Sequence, residues 1–209
     1  SFSGPCGLRS IPSLDVAEIG CDILSGTGRK YLRGPRGTGL LYVRRDFIEQ
    51  LEPPLLDQHA AMLHSPTEYQ PRADAKRFEN WECFYAGKAA LGVAMDYAVQ
   101  WDIETTQQRI YYLADQLRSK LSAIDGVTVT DAGQERCGIV TFMSEQQKPV
   151  AIKQALSQHK INVSTSGVPG SLIDFQERGL DEVVRASLHY FNTEGEIDFF
   201  VETLKRALT

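Results

Sequence analysis

The sequence contains no apolar run near the roughly 18 residues that a membrane-spanning helix requires. Its cysteines are few, four in 209 residues, and no two form a CxxC pair. Structural zinc and a disulfide framework are therefore disfavoured, and reduced thiols in a cytoplasmic protein are expected. The four histidines also lack metal-ligand spacing, so no metal site is expected. Basic residues are not in excess: the net charge is −5, which argues against nucleic acid as a partner. Neither a repeat, a low-complexity tract nor a signal-peptide pattern is evident. The opening Ser-Phe-Ser-Gly-Pro-Cys-Gly has no clear period and reads as a ragged end.

What is present is an ordinary globular composition, 42% hydrophobic and 23% charged, in a chain long enough to bury a core. One stretch stands out. Residues 22–43 hold Lys30 between a small-residue run (Ser25, Gly26, Thr27, Gly28) and a turn rich in glycine and proline (Gly34, Pro35, Gly37, Gly39). Glycine at this density lets backbone approach a ligand closely, and Arg29-Lys30 within it suggests a held anion beside an amine.

Along the chain, residues 14–20 read as a helical connector, Ile23-Leu24 as a brief strand and 39–45 as a second strand. Residues 46–52 make a helical turn stopped by Pro53-Pro54. Residues 55–74 show no sustained period and read as a long connection, functional or at an interface. An Ala/Gly-rich helix, expected to be buried or tightly packed, covers 86–100. A second carries Ile110, Leu113, Ala114, Leu117, Leu121 and Ile124 on one face and stops at Asp125-Gly126. Strands follow at 127–130, 138–142, 161–164 and 183–189. A helix over 149–158 opens on Pro149, and a last helix opens on a capping box, Thr193 with Glu196. The sum over 86–209 is a sheet covered by helices, an α/β sandwich.

The run S-G-T-G-R-K-Y-L-R-G-P-R-G-T-G-L-L-Y-V resembles the cofactor-lysine motif of the class V aminotransferase family, fold-type I enzymes that use pyridoxal 5'-phosphate. Two further segments carry the likeness: Arg77-Phe78-Glu79-Asn80-Trp81-Glu82 before the interdomain helix, and Arg185-Ala186-Ser187 through Asn192-Thr193-Glu194. Thr-Gly-Arg-Lys stands where the family usually has Ser-Gly-His-Lys, with one extra residue before Gly34. That variant looks most like the branch of hercynylcysteine sulfoxide lyases and isopenicillin epimerase-like proteins.

The resemblance implies a large-domain remnant over residues 1–54, a connection over 55–85, and a complete small α/β domain with the interdomain helix over 86–209. It implies Lys30 as the catalytic Schiff-base lysine, Thr27 and Arg29 as cofactor-phosphate contacts, and Arg185 as the substrate-carboxylate arginine. An amino-acid-like substrate and a homodimer follow from the same likeness. His189 and Asn192 are expected to be structural, and Trp81 a packing or interface aromatic.

Family members are about twice as long and carry an Asp, paired with the ring nitrogen, just upstream of the lysine loop. The corresponding residues 1–13 hold no acidic residue. The expectation is therefore the C-terminal half of such an enzyme, with a non-catalytic dimerisation module as the alternative. Family desulfurases carry a sulfur-accepting cysteine in the loop corresponding to residues 162–179. Here that loop has Ser164, Ser166 and Ser171, which leaves C–S lyase, transaminase and epimerase chemistry open. A nucleotide-type phosphate loop is disfavoured by spacing, since Lys30 precedes Gly34 and is followed by Tyr31.

Overall fold

The computed structural model describes residues 15–209; residues 1–14, where the ragged end, the stretch without an acidic residue and the first residue of the 14–20 connector fall, lie outside them. Two compact units divide at Asp102/Ile103. The long helix expected over 86–100 belongs to the first of them, while the second begins with the helix that follows.

The first unit opens with the short helix α1 (Val16–Ile19), where the Asp15 side chain accepts from the Ala17 N–H and Gly20 closes the turn in a left-handed conformation. Strands β1 (Ile23–Thr27) and β2 (Gly39–Val43) pair antiparallel, with Thr27 opposite Gly39 and Ile23 opposite Val43. The strand expected at Ile23-Leu24 thus extends through Ser25, Gly26 and Thr27, because β2 supplies it with ladder partners. Helix α2 (Arg45–Ile48) follows. Residues 55–74 are not an unstructured connection: they contain an antiparallel hairpin, β3 (Ala61–Ser65) with β4 (Glu68–Pro71), turning at Pro66-Thr67 with an irregularity between Leu63 and Ser65. Neither strand buries a face, so no apolar alternation marked it.

A 3-10 turn over Ala75–Phe78 leads into α3 (Tyr85–Gln100). Of the two expectations its composition allows, buried or tightly packed, burial is not met: within the described residues this helix buries only Gly87 and Leu91. The core of this unit is correspondingly small, its buried hydrophobics among the described residues being Val43, Ile48, Ala60 and Leu91.

The second unit, Ile103–Thr209, is a four-stranded sheet in the order β5-β6-β8-β7, every neighbouring pair antiparallel. The strands are β5 (Val127–Val129), β6 (Ile139–Ser144), β7 (Ser164–Gly167) and β8 (Glu182–Ser187). Helices α4 (Ile103–Ser122), α5 (Pro149–Gln158) and α7 (Glu194–Leu208) bury one stripe each against it, and the short α6 (Leu172–Glu177) sits between β7 and β8 in the chain. Leu113, Leu117 and Leu121 of α4 meet Val140 and Phe142 of β6, Leu156 of α5 and Leu204 of α7 in one cluster. Phe142 and Phe200 pack edge to face at 6.2 Å, a geometry that suits their ring quadrupoles.

Two expectations shift here. The strand over 161–164 lies instead at Ser164–Gly167, where β8 offers hydrogen bonds, while Ile161 and Val163 pack against the core outside any strand. The loop expected over 162–179 holds β7, a 3-10 turn over Val168–Gly170 and α6.

Side chains complete the frame. Arg118 on α4 donates to Asp131 (2.7 Å), to Asp115 (3.0 Å) and to the carbonyls of Cys137 (2.6 Å) and Ile139 (3.3 Å). Arg109 grips Glu194 with both nitrogens, at 2.6 and 2.9 Å, tying α4 to the start of α7. The Thr193 hydroxyl accepts from the Glu196 N–H at 3.2 Å while Glu196 accepts from the Thr193 N–H at 2.8 Å, the reciprocal capping box. Asn192 accepts from the His189 N–H at 2.8 Å and so bends the chain from β8 into α7. Among the described residues, no helix is long and apolar enough to cross a membrane.

Candidate functional site

The residues between β1 and β2 form a loop closed twice at its base. The Gly28 N–H donates to the Thr38 carbonyl and the Gly34 N–H to the Gly28 carbonyl, both at 2.9 Å. The Arg33 N–H reaches the Lys30 carbonyl at 3.1 Å, and the Thr38 hydroxyl caps the Pro35 carbonyl at 2.6 Å. Backbone bonds that would otherwise belong to a ladder are thus spent within residues 28–38, and Lys30 stands on the resulting projection. Thr27 ends β1 and is exposed, as are Arg29 and Lys30, whereas Gly28 is buried. The loop therefore brings a hydroxyl, a guanidinium and an amine together within four residues.

A side chain is disfavoured at two of these positions. A Cβ on Gly28 would stand 2.6 Å from a Leu91 methyl and 2.7 Å from the Thr38 hydroxyl; one on Gly34 would stand 2.9 Å from Leu91 and 3.0 Å from the Gly28 carbonyl. Leu91 and Tyr97 of α3 support the loop, and the sequence reading missed both. Each is one of many apolar or aromatic residues in an Ala/Gly-rich helix, and no local motif marks a contact made some sixty residues away in the chain.

The segment before α3 is held by its own hydrogen bonds. Asp57 accepts from the N–H groups of His59 (2.8 Å), Ala60 (3.1 Å) and Trp81 (2.7 Å). The Trp81 N–H bond is the chief cause that holds the Asp57 carboxyl below its ordinary value, against the opposing effect of desolvation. The Tyr85 hydroxyl donates to the Trp81 carbonyl at 2.7 Å, so both sides of that backbone are fixed while the indole stays exposed. Lys88 pairs with Glu79 at 3.1 Å, and this hydrogen bond raises the lysine's pKa. Arg77 is buried, donates to the Ile48 carbonyl at 3.3 Å, and so joins this segment to the end of α2.

Arg185 lies in the second unit, in β8, an inner strand paired on both sides: Thr141 of β6 and Ser164 of β7 are its register partners. Its neighbours Val184 and Ala186 enter the helix-covered core, so strand alternation turns Arg185 to the opposite face. Its Nε is buried and meets no hydrogen-bond partner among the described residues. An orphaned buried N–H of this kind calls for an acceptor.

Two of the carboxylates upstream of Lys30, Asp15 and Asp22, are engaged elsewhere. Asp15 caps α1, and Asp22 pairs with Arg44 at 2.7 Å. Of the serines in the loop over 162–179, Ser164 and Ser171 are exposed and Ser166 is half-buried. Cys137 lies before that loop and is buried.

Comparison with known proteins agrees with this architecture. A probable cysteine desulfurase of Methanothermobacter thermautotrophicus is 30% identical over 195 residues, which are 92% of this chain and 49% of that protein. A probable hercynylcysteine sulfoxide lyase of Mycobacterium tuberculosis is 28% identical over 191 residues, 90% of this chain and 45% of its own. The chain thus spans about half the length of the curated relatives it matches. Among solved structures, the apo cysteine desulfurase of Thermococcus onnurineus superposes with a TM-score of 0.85 at 24% identity, covering 92% of this chain and 48% of that one. A cystine C–S lyase in complex with its product cysteine persulfide gives 0.78 at 24% identity, over 95% and 49%. A variant of that lyase has glycine covalently linked to its PLP cofactor.

These structures establish the fold: an α/β chain that superposes on about half the length of each of them. The sequence profile of the family described as Aminotransferase class-V matches residues 10–200, and this protein belongs to that family.

Proposed function

We propose that this chain is the C-terminal part of a pyridoxal-phosphate-dependent enzyme that acts on an amino-acid substrate, with Lys30 as its cofactor lysine. The observation that carries the proposal is the closed loop that presents Thr27, Arg29 and Lys30 together, inside a family match covering residues 10–200. The donor set fits the cofactor: an amine for its aldehyde, and a hydroxyl with a fixed positive charge for its phosphate. The buried, unpartnered Nε of Arg185 fits a substrate carboxylate. The cofactor's ring nitrogen has no candidate partner in Asp15 or Asp22, which are already engaged.

When bound, pyridoxal phosphate supplies an aldehyde that condenses with amines and a ring that accepts electron density from the substrate α-carbon. This chain's residues do the rest. Thr27 and Arg29 bind the phosphate; Arg185 orients the carboxylate with its planar fork; the Lys30 Nζ takes and returns the proton at the α-carbon. Transamination and C–S cleavage share these steps. A desulfurase that stores sulfur on a loop cysteine is disfavoured, since residues 162–179 contain none. A homodimer is part of the same proposal and is checked by light scattering.

The test mixes the protein with pyridoxal phosphate, reduces with borohydride and maps the label by peptide mass. Label concentrated on Lys30, and lost in Lys30→Ala, is expected; label spread evenly over surface lysines refutes the proposal. A second reading, a non-catalytic dimerisation module, is favoured by the small core of the first unit and its exposed Ile23, Leu40 and Leu41. It predicts a dimer that takes up no cofactor.

A further inference from the structure

We infer that helix α3 seats the lysine loop, with Leu91 and Tyr97 as positioning residues that keep Lys30 in one place. The inference rests on Lys30 as the cofactor lysine and adds what holds it.

Backbone closure alone does not fix the loop. The bonds from Gly28 to Thr38 and from Gly34 to Gly28 make it a stiff body, but a stiff body joined to two strand ends can still tilt. Packing from α3 removes that freedom at two points. The Leu91 side chain, 5% exposed, occupies the space in which a Cβ on Gly28 or on Gly34 would stand, at 2.6 and 2.9 Å from its methyl. One isobutyl group therefore plugs the loop beneath both ends of its inner ring. Without it the two glycines, which have no side chains to pack, would face a void.

The second point is Arg33, the residue that closes the turn after Lys30. Its φ is +56°, a left-handed conformation uncommon for any residue but glycine. The Arg33 N–H is bonded to the Lys30 carbonyl, and its guanidinium lies 5.6 Å from the centre of the Tyr97 ring, within cation–π range. Tyr97 thus secures the side chain of a residue whose backbone is strained in support of Lys30. Leu91 acts at residues 28 and 34 and Tyr97 at residue 33, so the two contacts bracket the lysine. A lysine amine on a flexible stem samples a wide volume, and fixing its Cα narrows that volume toward one reacting position.

The experiment uses the full chain and two independent readouts. Amide hydrogen exchange at Gly28 and Gly34 reads the seating of the loop without any cofactor. The share of borohydride-fixed pyridoxyl label on Lys30, relative to Lys153 and Lys205, reads its effect on the amine. Tyr97 is partly exposed, so Tyr97→Leu keeps the fold even where Leu91→Ala loosens it. Protection at Gly34 is expected to fall by about tenfold in Leu91→Ala and by about threefold in Tyr97→Leu, with a lower Lys30 share in both, since local opening sets exchange. Tyr97→Phe keeps the ring and Leu91→Met the volume, and both are expected to restore the two readouts. Unchanged protection and label share in Tyr97→Leu and in folded Leu91→Ala would overturn the seating role. Wild-type protein labelled no more at Lys30 than at Lys153 would overturn the cofactor-lysine reading, while exchange at Gly34 still decides whether α3 seats the loop.

Discussion

Arg118→Met removes the cation at the centre of the second unit's only extensive buried polar network among the described residues. The guanidinium side chain is 5% exposed and its principal partner, Asp131, 12%. The substitution strips Asp131 of a 2.7 Å charge-assisted bond and leaves the Cys137 carbonyl without its 2.6 Å donor. One carboxylate oxygen, Asp131 Oδ1, already lacks a hydrogen-bond partner among the described residues, so the anion has little else to fall back on. Breaking a buried pair from one side costs about 3–5 kcal/mol, most of it the penalty of the charge left behind. At roughly 4 °C per kcal/mol for a unit of this size, the melting temperature should fall by roughly 12–20 °C. The double variant Arg118→Met/Asp131→Leu removes both charges and should recover most of the loss. Calorimetry and urea titration of wild type, single and double variants measure this. A single variant costing less than about 1 kcal/mol, or a double variant no better than the single, refutes the reasoning that a stranded anion dominates. The consequence reaches the site, because the Cys137 and Ile139 carbonyls mark the start of β6, whose register partner β8 carries Arg185.

Three further outcomes are expected. Thr193→Ala removes one half of the capping box of α7 and should cost about 1 kcal/mol in urea titration, with Thr193→Ser neutral. The Glu194 carboxyl is held down from 4.5 to about 2, chiefly by its hydrogen bonds from Arg109. A depressed carboxylate stabilises the fold above its unfolded value, so this contribution is complete above pH 4.5 and disappears as pH falls toward 2; Glu194→Gln should flatten that part of the pH–stability curve. In cofactor-loaded protein, Arg185→Lys should weaken binding of a carboxylate-bearing amino-acid ligand by about tenfold, because the planar fork is lost, and calorimetric titration checks it; unchanged affinity takes Arg185 out of that role.

Legibility in the sequence followed locality. Helix α5 lies at Pro149–Gln158 as its opening proline predicts, and α7 starts at its capping box, because both signals sit within a few residues of what they specify. The buried stripe of α4 was visible for the same reason, although Arg118 lies in it as well and its polar name hides a guanidinium that makes four hydrogen bonds. The hairpin β3–β4 was invisible because neither strand buries a face, and α3 was expected buried or tightly packed because Ala and Gly suit burial without requiring it.

The same division runs through the site. Thr27, Arg29, Lys30 and the glycine turn are consecutive or nearly so, and the sequence alone determines that a hydroxyl, a cation and an amine share one short loop. Tertiary structure decided the rest: that Gly28 and Gly34 make way for Leu91, that Arg33 stands over Tyr97, and that Arg185 sits on an inner strand facing away from the helix-covered core. Propensity, capping and turn chemistry act within about one helical turn and can be read along the chain, whereas packing partners and sheet order depend on residues that meet only when the chain has folded.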